Sequence, residues 1–97
     1  MVLDVQHNTE ETRFEVIQGE TTACLIYRLH GKAFMIMHTE VPKVMGGQRV
    51  GRYLIVAALD FAKSNHYNVL FVYCPFVKSY LKRHPELKEG VKVIMAK

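Results

Sequence analysis

Residues 49–65 are apolar on nearly every side, and this segment restricts the fold more than any other feature. Its charged positions form only a narrow stripe along one side of a predicted helix. They are Arg49, Arg52, Asp60 and Lys63. A helix with so little polar surface has to pack most of its circumference against another element. The sequence therefore predicts a helix that lies largely buried against a sheet.

Three segments before this helix are predicted to be strands. Residues 12–17 alternate weakly and end at a turn, and residues 23–30 alternate regularly. The dipeptide Gly31-Lys32 separates the second segment from a third at 33–41, and glycine in the first central position suits a two-residue hairpin turn. These segments predict three consecutive antiparallel strands.

The C-terminal third predicts one more strand, a second helix and a possible last strand. Residues 68–73 form a continuous β-prone run that Pro75 stops, so this strand is expected to be central in the sheet. A helix is predicted at 76–83 and a short strand at 91–95. The predicted class is α+β, in the order β-β-β-α-β-α with a possible terminal β.

The length and composition suit one folded domain, 1–97, with 49% hydrophobic and 23% charged residues. No stretch approaches the roughly 20 apolar residues of a membrane-spanning helix, and residues 1–9 lack the apolar segment of a signal peptide. A cytoplasmic protein without membrane contact is expected. Cys24 and Cys74 have no zinc-binding spacing, so neither a metal site nor a disulfide is predicted.

The charge is unevenly distributed along the chain, whose net charge is +4. Residues 1–20 carry five acids and one base, whereas residues 21–97 carry four acids and twelve bases. Such a field favours an anionic partner, which could be a nucleic acid, an acidic protein or a phosphorylated cofactor. The aromatic residues fall at core periodicities and do not alternate with the basic residues, so a nucleic-acid partner is the least favoured of these.

The loop at 46–51 leads into the apolar helix and has the position of a phosphate-binding loop. The first turn of a helix leaves backbone N–H groups unpaired, and the helix dipole favours negative charge there. No Ser, Thr, Asp or Asn stands just before Arg49 to cap these groups. Gly46 and Gly47 would let an oxyanion approach the backbone closely. Alone, such a loop is more often a simple connection.

The context of the loop is more specific. The segment HTEVPKVMGGQRVGRYLIVAALDFAKSN, followed by VLFVYCPFVKSYLKRHPEL, resembles the small single-domain members of the GNAT superfamily of acetyltransferases. The shared features are an HTxV strand end, a glycine-bearing loop, an AAL-type helix and a Cys-x-Phe segment, over roughly residues 11–87. The resemblance implies a GNAT-like mixed, mainly antiparallel sheet. Its strands at 33–41 and 68–74 would splay apart around the pantetheine arm of acetyl-CoA.

The resemblance also implies where the cofactor binds. The superfamily pattern Q/R-x-x-G-x-G/A, which holds the pyrophosphate, corresponds here to residues 46–51. The implied cofactor-binding residues are Val41, Gly46, Gly47, Gln48, Arg49, Val50, Gly51 and Arg52. Gly46 replaces the first Gln or Arg of the pattern, and Arg49 stands where a glycine is expected. The Arg49 side chain would either obstruct the pyrophosphate or pair with a phosphate.

The implied activity is N-acetyl transfer from acetyl-CoA to an amine, which needs a base for the amine and a proton for the leaving thiolate. Glu40 is the candidate base, with His38 as a relay, and Tyr80 is the candidate proton donor. Cys74, between a strand and a helix, is a candidate covalent intermediate. The structural alternatives are an exposed carboxylate for Glu40, a hydrogen-bonded side chain for His38, a small buried thiol for Cys74, and core packing for Tyr80.

Two functions from different classes follow from these expectations. The first is an enzyme that acetylates an amine, whose acceptor could be a protein or a peptide and is not specified by any residue pattern. The second is a non-catalytic CoA- or acyl-CoA-binding module. It is suggested by the chain of 97 residues, which is shorter than larger superfamily members and shows no segment for the helices that build their amine side.

Overall fold

The computed structural model of the chain describes residues 4–46 and 49–96. The strands are β1 (Gln6–Asn8), β2 (Arg13–Gln18), β3 (Thr21–His30), β4 (Ala33–Glu40), β5 (Val69–Val72) and β6 (Lys92–Met95). The helices are α1 (Val50–Ser64) and α2 (Pro75–Arg83), with short 3-10 turns at Lys43–Met45 and Pro85–Lys88. The predicted strands and helices are confirmed with small shifts of their ends. Strand β1 and the 3-10 turns were not predicted.

The strands occupy the sheet in the order in which they occur in the chain. Strands β1 to β4 pair antiparallel, whereas β5 pairs parallel with both β4 and β6. This confirms the α+β class and a mixed sheet in which antiparallel pairs predominate. It also confirms that β5 is internal to the sheet. Helix α1 connects β4 to β5, and α2 connects β5 to β6, so both crossovers advance in the same direction across the sheet. Right-handed connections therefore place both helices on one face of the sheet.

One face of the sheet forms the core with the two helices. Its buried residues alternate along the strands, as expected for side chains that point to one side. They are Phe14, Val16, Ala23, Leu25, Tyr27, Phe34, Ile36, Leu70 and Val72. The other face carries Met35, Phe71 and Ile94, which are only partly buried. Within residues 4–46 and 49–96, no helix covers that second face.

Strand β1 is held in place by ring contacts. His7 stacks on Phe14 with ring centroids 4.2 Å apart, and it meets the edge of Phe61 at 4.6 Å. Its Nε2 also shares a hydrogen bond with the hydroxyl of Tyr27. Burial lowers the pKa of His7, which favours the neutral ring in this aromatic cluster. Three residues without apolar alternation carry no strand signal, which explains why β1 was not predicted.

Strands β4 and β5 pair over only part of their length. The register runs from Ala33–Val69 to Ile36–Val72, and one further hydrogen bond of 2.9 Å joins the Tyr73 N–H to the Ile36 carbonyl. A bulge follows, because the register of β4 on β3 shifts by one residue at this point. The last residues of β4 then pair with β3 alone. The two strands thus separate at the edge of the sheet from which α1 and α2 begin.

Candidate functional site

A groove of about 480 Å³ lies between the first turn of α1 and one side of α2. Helix α2 contributes Phe76, Tyr80, Arg83 and His84, whose spacing of three or four residues places them on one side of the helix. The opposite wall consists of Val41, Met45, Gly46 and residues 49–52. Three of the described lining residues are arginines and none is acidic. The groove therefore favours an anionic ligand.

The first turn of α1 adds backbone donors to this positive field. Arg49 is the N-cap residue and makes no side-chain capping hydrogen bond, and the first turn contains no acidic residue. Backbone N–H groups at this end therefore lack the side-chain partner that Ser, Asp or Asn would supply. Their partial positive charge adds to that of Arg49 and Arg52. An oxyanion in the groove would meet both kinds of donor.

Arg49 has a left-handed backbone conformation, with φ 58° and ψ 26°. This conformation costs a residue with a Cβ atom roughly 1–2 kcal/mol, whereas glycine adopts it freely. The backbone thus explains why a glycine is expected at this position of the loop pattern. The arginine side chain is exposed and lines the groove. An arginine at this position therefore adds a positive charge to the groove but strains the backbone.

Replacing Arg49 by glycine is expected to make the protein about 1 kcal/mol more stable than replacing it by alanine. Both variants lose the guanidinium group, but only glycine relieves the left-handed strain, which outweighs the greater freedom of glycine in the unfolded chain. Urea denaturation of the two variants measures the difference. Equal stabilities would show that the loop does not hold residue 49 in this conformation.

Arg52 and Tyr80 meet across the groove. The Nη1 of Arg52 donates a hydrogen bond of 2.8 Å to the Tyr80 hydroxyl, and this contact raises the pKa of Arg52. The Tyr80 ring also packs on His84 at 4.4 Å between centroids, and the Arg83 guanidinium lies 5.8 Å from its centre. Tyr80 is therefore a groove residue held between cationic groups. Its contact with Phe76 is looser, at 6.3 Å between ring centroids.

Gly51 allows α2 to approach the first turn of α1. A Cβ atom placed on Gly51 would lie 2.7 Å from Cζ of Phe76, so only glycine accommodates the ring in its present position. Phe76 is 44% exposed and forms an apolar wall of the groove. Phe76 was not assigned to the site from the sequence. Its spacing of four residues from Tyr80 was the available signal.

Cys74 lies outside the residues that line the groove. It is the N-cap of α2, is 4% exposed, and its Sγ donates to Oγ1 of Thr39 at 3.5 Å. Thr39 belongs to the part of β4 that no longer pairs with β5. The Thr39–Cys74 contact thus spans the point where the two strands separate. Sequence analysis did not single out Thr39, although it belongs to the HTxV motif.

The other predicted site residues are distributed as follows. Glu40 pairs with Cys24 in the register and is exposed, as is His38; neither lines the groove. Val41, Gly46 and Tyr80 line it together with residues 49–52. Gly47 and Gln48 lie outside the described residues. The catalytic roles of Glu40, Cys74 and Tyr80 stay predictions.

No group of three or more His, Cys, Asp and Glu side chains in residues 4–46 and 49–96 is arranged to hold a metal ion. None of the helices in the same residues is both long enough and apolar enough to span a membrane.

Comparison with known proteins shows similarity over most of the chain. The family model described as GCN5-related N-acetyl-transferase matches residues 13–90. Protein NATD1 of Gallus gallus is 30% identical over 86 residues, which are 86% of this chain and 77% of that protein. Protein NATD1 of Mus musculus is 31% identical over 84 residues, 84% of this chain and 76% of that protein. Protein NATD1 of Homo sapiens is 31% identical over 84 residues, which are 84% of this chain and 74% of that protein.

Proposed function

Because the chain belongs to the family of GCN5-related N-acetyltransferases, we propose that it transfers the acetyl group of acetyl-CoA to an amine. The observation that carries this proposal is the groove between α1 and α2, which three arginines line and which contains a helix start without a side-chain cap. A diphosphate is the part of CoA that such a site suits.

Residues along the groove suit successive parts of the CoA molecule. The backbone N–H groups of the first turn of α1, together with Arg49 and Arg52, would hold the diphosphate. Val41 and Phe76 offer apolar surface to the pantetheine arm. Gly46 leaves room for the ligand to approach the backbone, and Gly47 and Gln48 complete the proposed loop. When bound, acetyl-CoA supplies the acetyl group as a reactive thioester.

Cys74 and Glu40 carry the proposed chemistry. Tyr80 accepts a hydrogen bond from Arg52 at the proposed diphosphate site, and the pantetheine arm separates that site from the thioester sulfur, so the predicted proton transfer from Tyr80 to the thiolate is not part of this proposal. Cys74, beside the point where β4 and β5 separate, would accept the acetyl group on its sulfur, and its thiol proton would pass to the sulfur of CoA, which would leave as the free thiol. Glu40 would take the proton of the attacking amine. The acceptor amine is proposed to include those of proteins or peptides.

Mass spectrometry after incubation with acetyl-CoA tests the role of Cys74. The wild type and Cys24→Ala are expected to gain one acetyl group at Cys74, and Cys74→Ala is expected to gain none. Turnover with a panel of amines and peptides should fall about tenfold or more in Cys74→Ala, because direct transfer replaces the covalent route. Cys24→Ala is the matched control, since it also removes a buried free thiol.

The results distinguish the role of Cys74 from catalysis and from CoA binding. Full turnover by Cys74→Ala would remove Cys74 from the mechanism and leave the enzyme in place. If the wild type binds acetyl-CoA but releases no CoA with any amine, the protein is instead an acyl-CoA-binding module. That second function is favoured by one observation, namely that Cys74 and Glu40 do not line the groove. A lack of binding to both CoA and acetyl-CoA would contradict both functions.

A further inference from the structure

The groove has a second cationic position at the end of α2. Arg83 and His84 line it there, whereas Phe76 lines it at the start of the same helix. Seven residues of helix separate Phe76 from Arg83, which is roughly 10 Å along the axis. The Arg83 position therefore lies well beyond the surface assigned to the pantetheine arm.

Tyr80 contacts a cationic side chain of each position. Arg52 contacts the hydroxyl of Tyr80 at 2.8 Å, and Arg83 lies 5.8 Å from the centre of the same ring. The two guanidinium groups thus hold different parts of one aromatic side chain. A ligand that satisfies both needs two anionic groups about one ring's length apart.

Among residues 4–46 and 49–96, the Arg83 guanidinium has no carboxylate partner. Ion pairs in residues 4–46 and 49–96 join Arg13 to Glu15 and His84 to Glu86, the latter at 3.5 Å. Arg83 takes part in neither, and it is exposed at the groove. An unpaired guanidinium beside a groove is well suited to a phosphate, because its planar fork matches the phosphate oxygens.

We propose that Arg83, with Tyr80 and His84 beside it, binds the 3′-phosphate of CoA and makes the protein select CoA over dephospho-CoA. This inference rests on the proposed function, since it assumes that the diphosphate binds at the first turn of α1. A ribose joins the diphosphate of CoA to its 3′-phosphate. That arrangement presents two separate anionic groups, which suits Arg52 at the hydroxyl of Tyr80 and Arg83 near its ring.

Isothermal titration calorimetry with CoA and dephospho-CoA tests this selectivity. The wild type is expected to bind CoA about tenfold more tightly, the effect of one charge-assisted contact. Arg83→Gln should bind the two ligands equally and should retain the wild-type affinity for dephospho-CoA. Lys82→Gln is the matched control: it removes an exposed positive charge from the adjacent residue of α2 that does not line the groove, and it should keep the preference.

The outcomes distinguish a failure of the Arg83 inference from a failure of the proposed function. Equal binding of CoA and dephospho-CoA by the wild type would overturn the Arg83 inference and leave the proposed function intact. So would an Arg83→Gln variant that weakens both ligands by the same factor, or a Lys82→Gln variant that loses the preference as fully as Arg83→Gln does. If the wild type binds neither ligand, the proposed function fails first. Adenosine 3′-phosphate 5′-diphosphate and 5′-ADP, which lack the pantetheine arm and differ only in the 3′-phosphate, should repeat the preference in a competition assay. Thermal unfolding of each variant verifies its fold.

Discussion

Replacing Arg52 by alanine is expected to weaken CoA binding by about ten- to a hundredfold, as measured by calorimetry. Arg52 lies in the first turn of α1, lines the groove and donates to the Tyr80 hydroxyl at 2.8 Å. Its loss would remove a charge-assisted contact to the diphosphate, which is worth about 1.5–3 kcal/mol. It would also release the Tyr80 hydroxyl from its described partner.

Three further variants show how Arg52 acts. Lys63→Ala removes a positive charge from the last turn of the same helix, far from the groove, and should leave the affinity unchanged. Arg52→Lys keeps the charge without the planar fork and should give an intermediate loss. Tyr80→Phe removes the hydrogen-bond partner, so a loss as large as that of Arg52→Ala would mean that Arg52 acts through Tyr80. Unchanged CoA binding by a folded Arg52→Ala protein would show that the groove is not the cofactor site.

Replacing Phe34 by alanine is expected to lower the free energy of unfolding by about 3–5 kcal/mol. Phe34 is 0% exposed in β4 and stacks on Tyr27 with ring centroids 4.8 Å apart. Its ring also contacts Phe61 and Tyr67 at about 6 Å, so the substitution leaves a cavity between the sheet and α1. Small proteins are stable by only about 5–15 kcal/mol, which makes this a large fraction of the total.

Urea denaturation measures this loss, and Met35→Ala serves as its control. Met35 is the next residue of β4 and points to the opposite, uncovered face, where it is partly buried. The same strand thus loses a large apolar side chain without a cavity in the core, and the expected cost is about 1 kcal/mol. A smaller loss for Phe34→Ala than for Met35→Ala would contradict the assignment of the core to the helix-covered face.

Most helices and strands could be predicted from local patterns in the sequence. The apolar segment at 49–65 became α1, Val50–Ser64, because burial on most sides leaves a helix few other ways to pack. The hairpin at Gly31 followed from its turn residues, and the structure gives this glycine a φ of 60°. Strand β1 did not follow, because His7 is held by rings from β2, β3 and α1 that no local window contains.

Only one wall of the candidate site and Tyr80 could be predicted from the sequence. The loop wall and Tyr80 were identified from the glycine pattern and the resemblance. Arg83 and His84 were not assigned to the groove, because the second crossover brings the far end of α2 beside residues about thirty positions earlier. Likewise, the sequence shows that Arg49 departs from a glycine pattern. Its left-handed conformation is a property of the folded loop.

The agreement between strand order and chain order bears on how the protein folds during synthesis. Every strand from β2 to β6 pairs with the strand that precedes it in the chain. As the chain leaves the ribosome, each new strand therefore finds the edge that it needs already in place. The antiparallel half can form from hairpins between neighbours, which favours rapid closure. Strands β5 and β6 then join the growing edge, each after the helix that carries the chain back across the sheet.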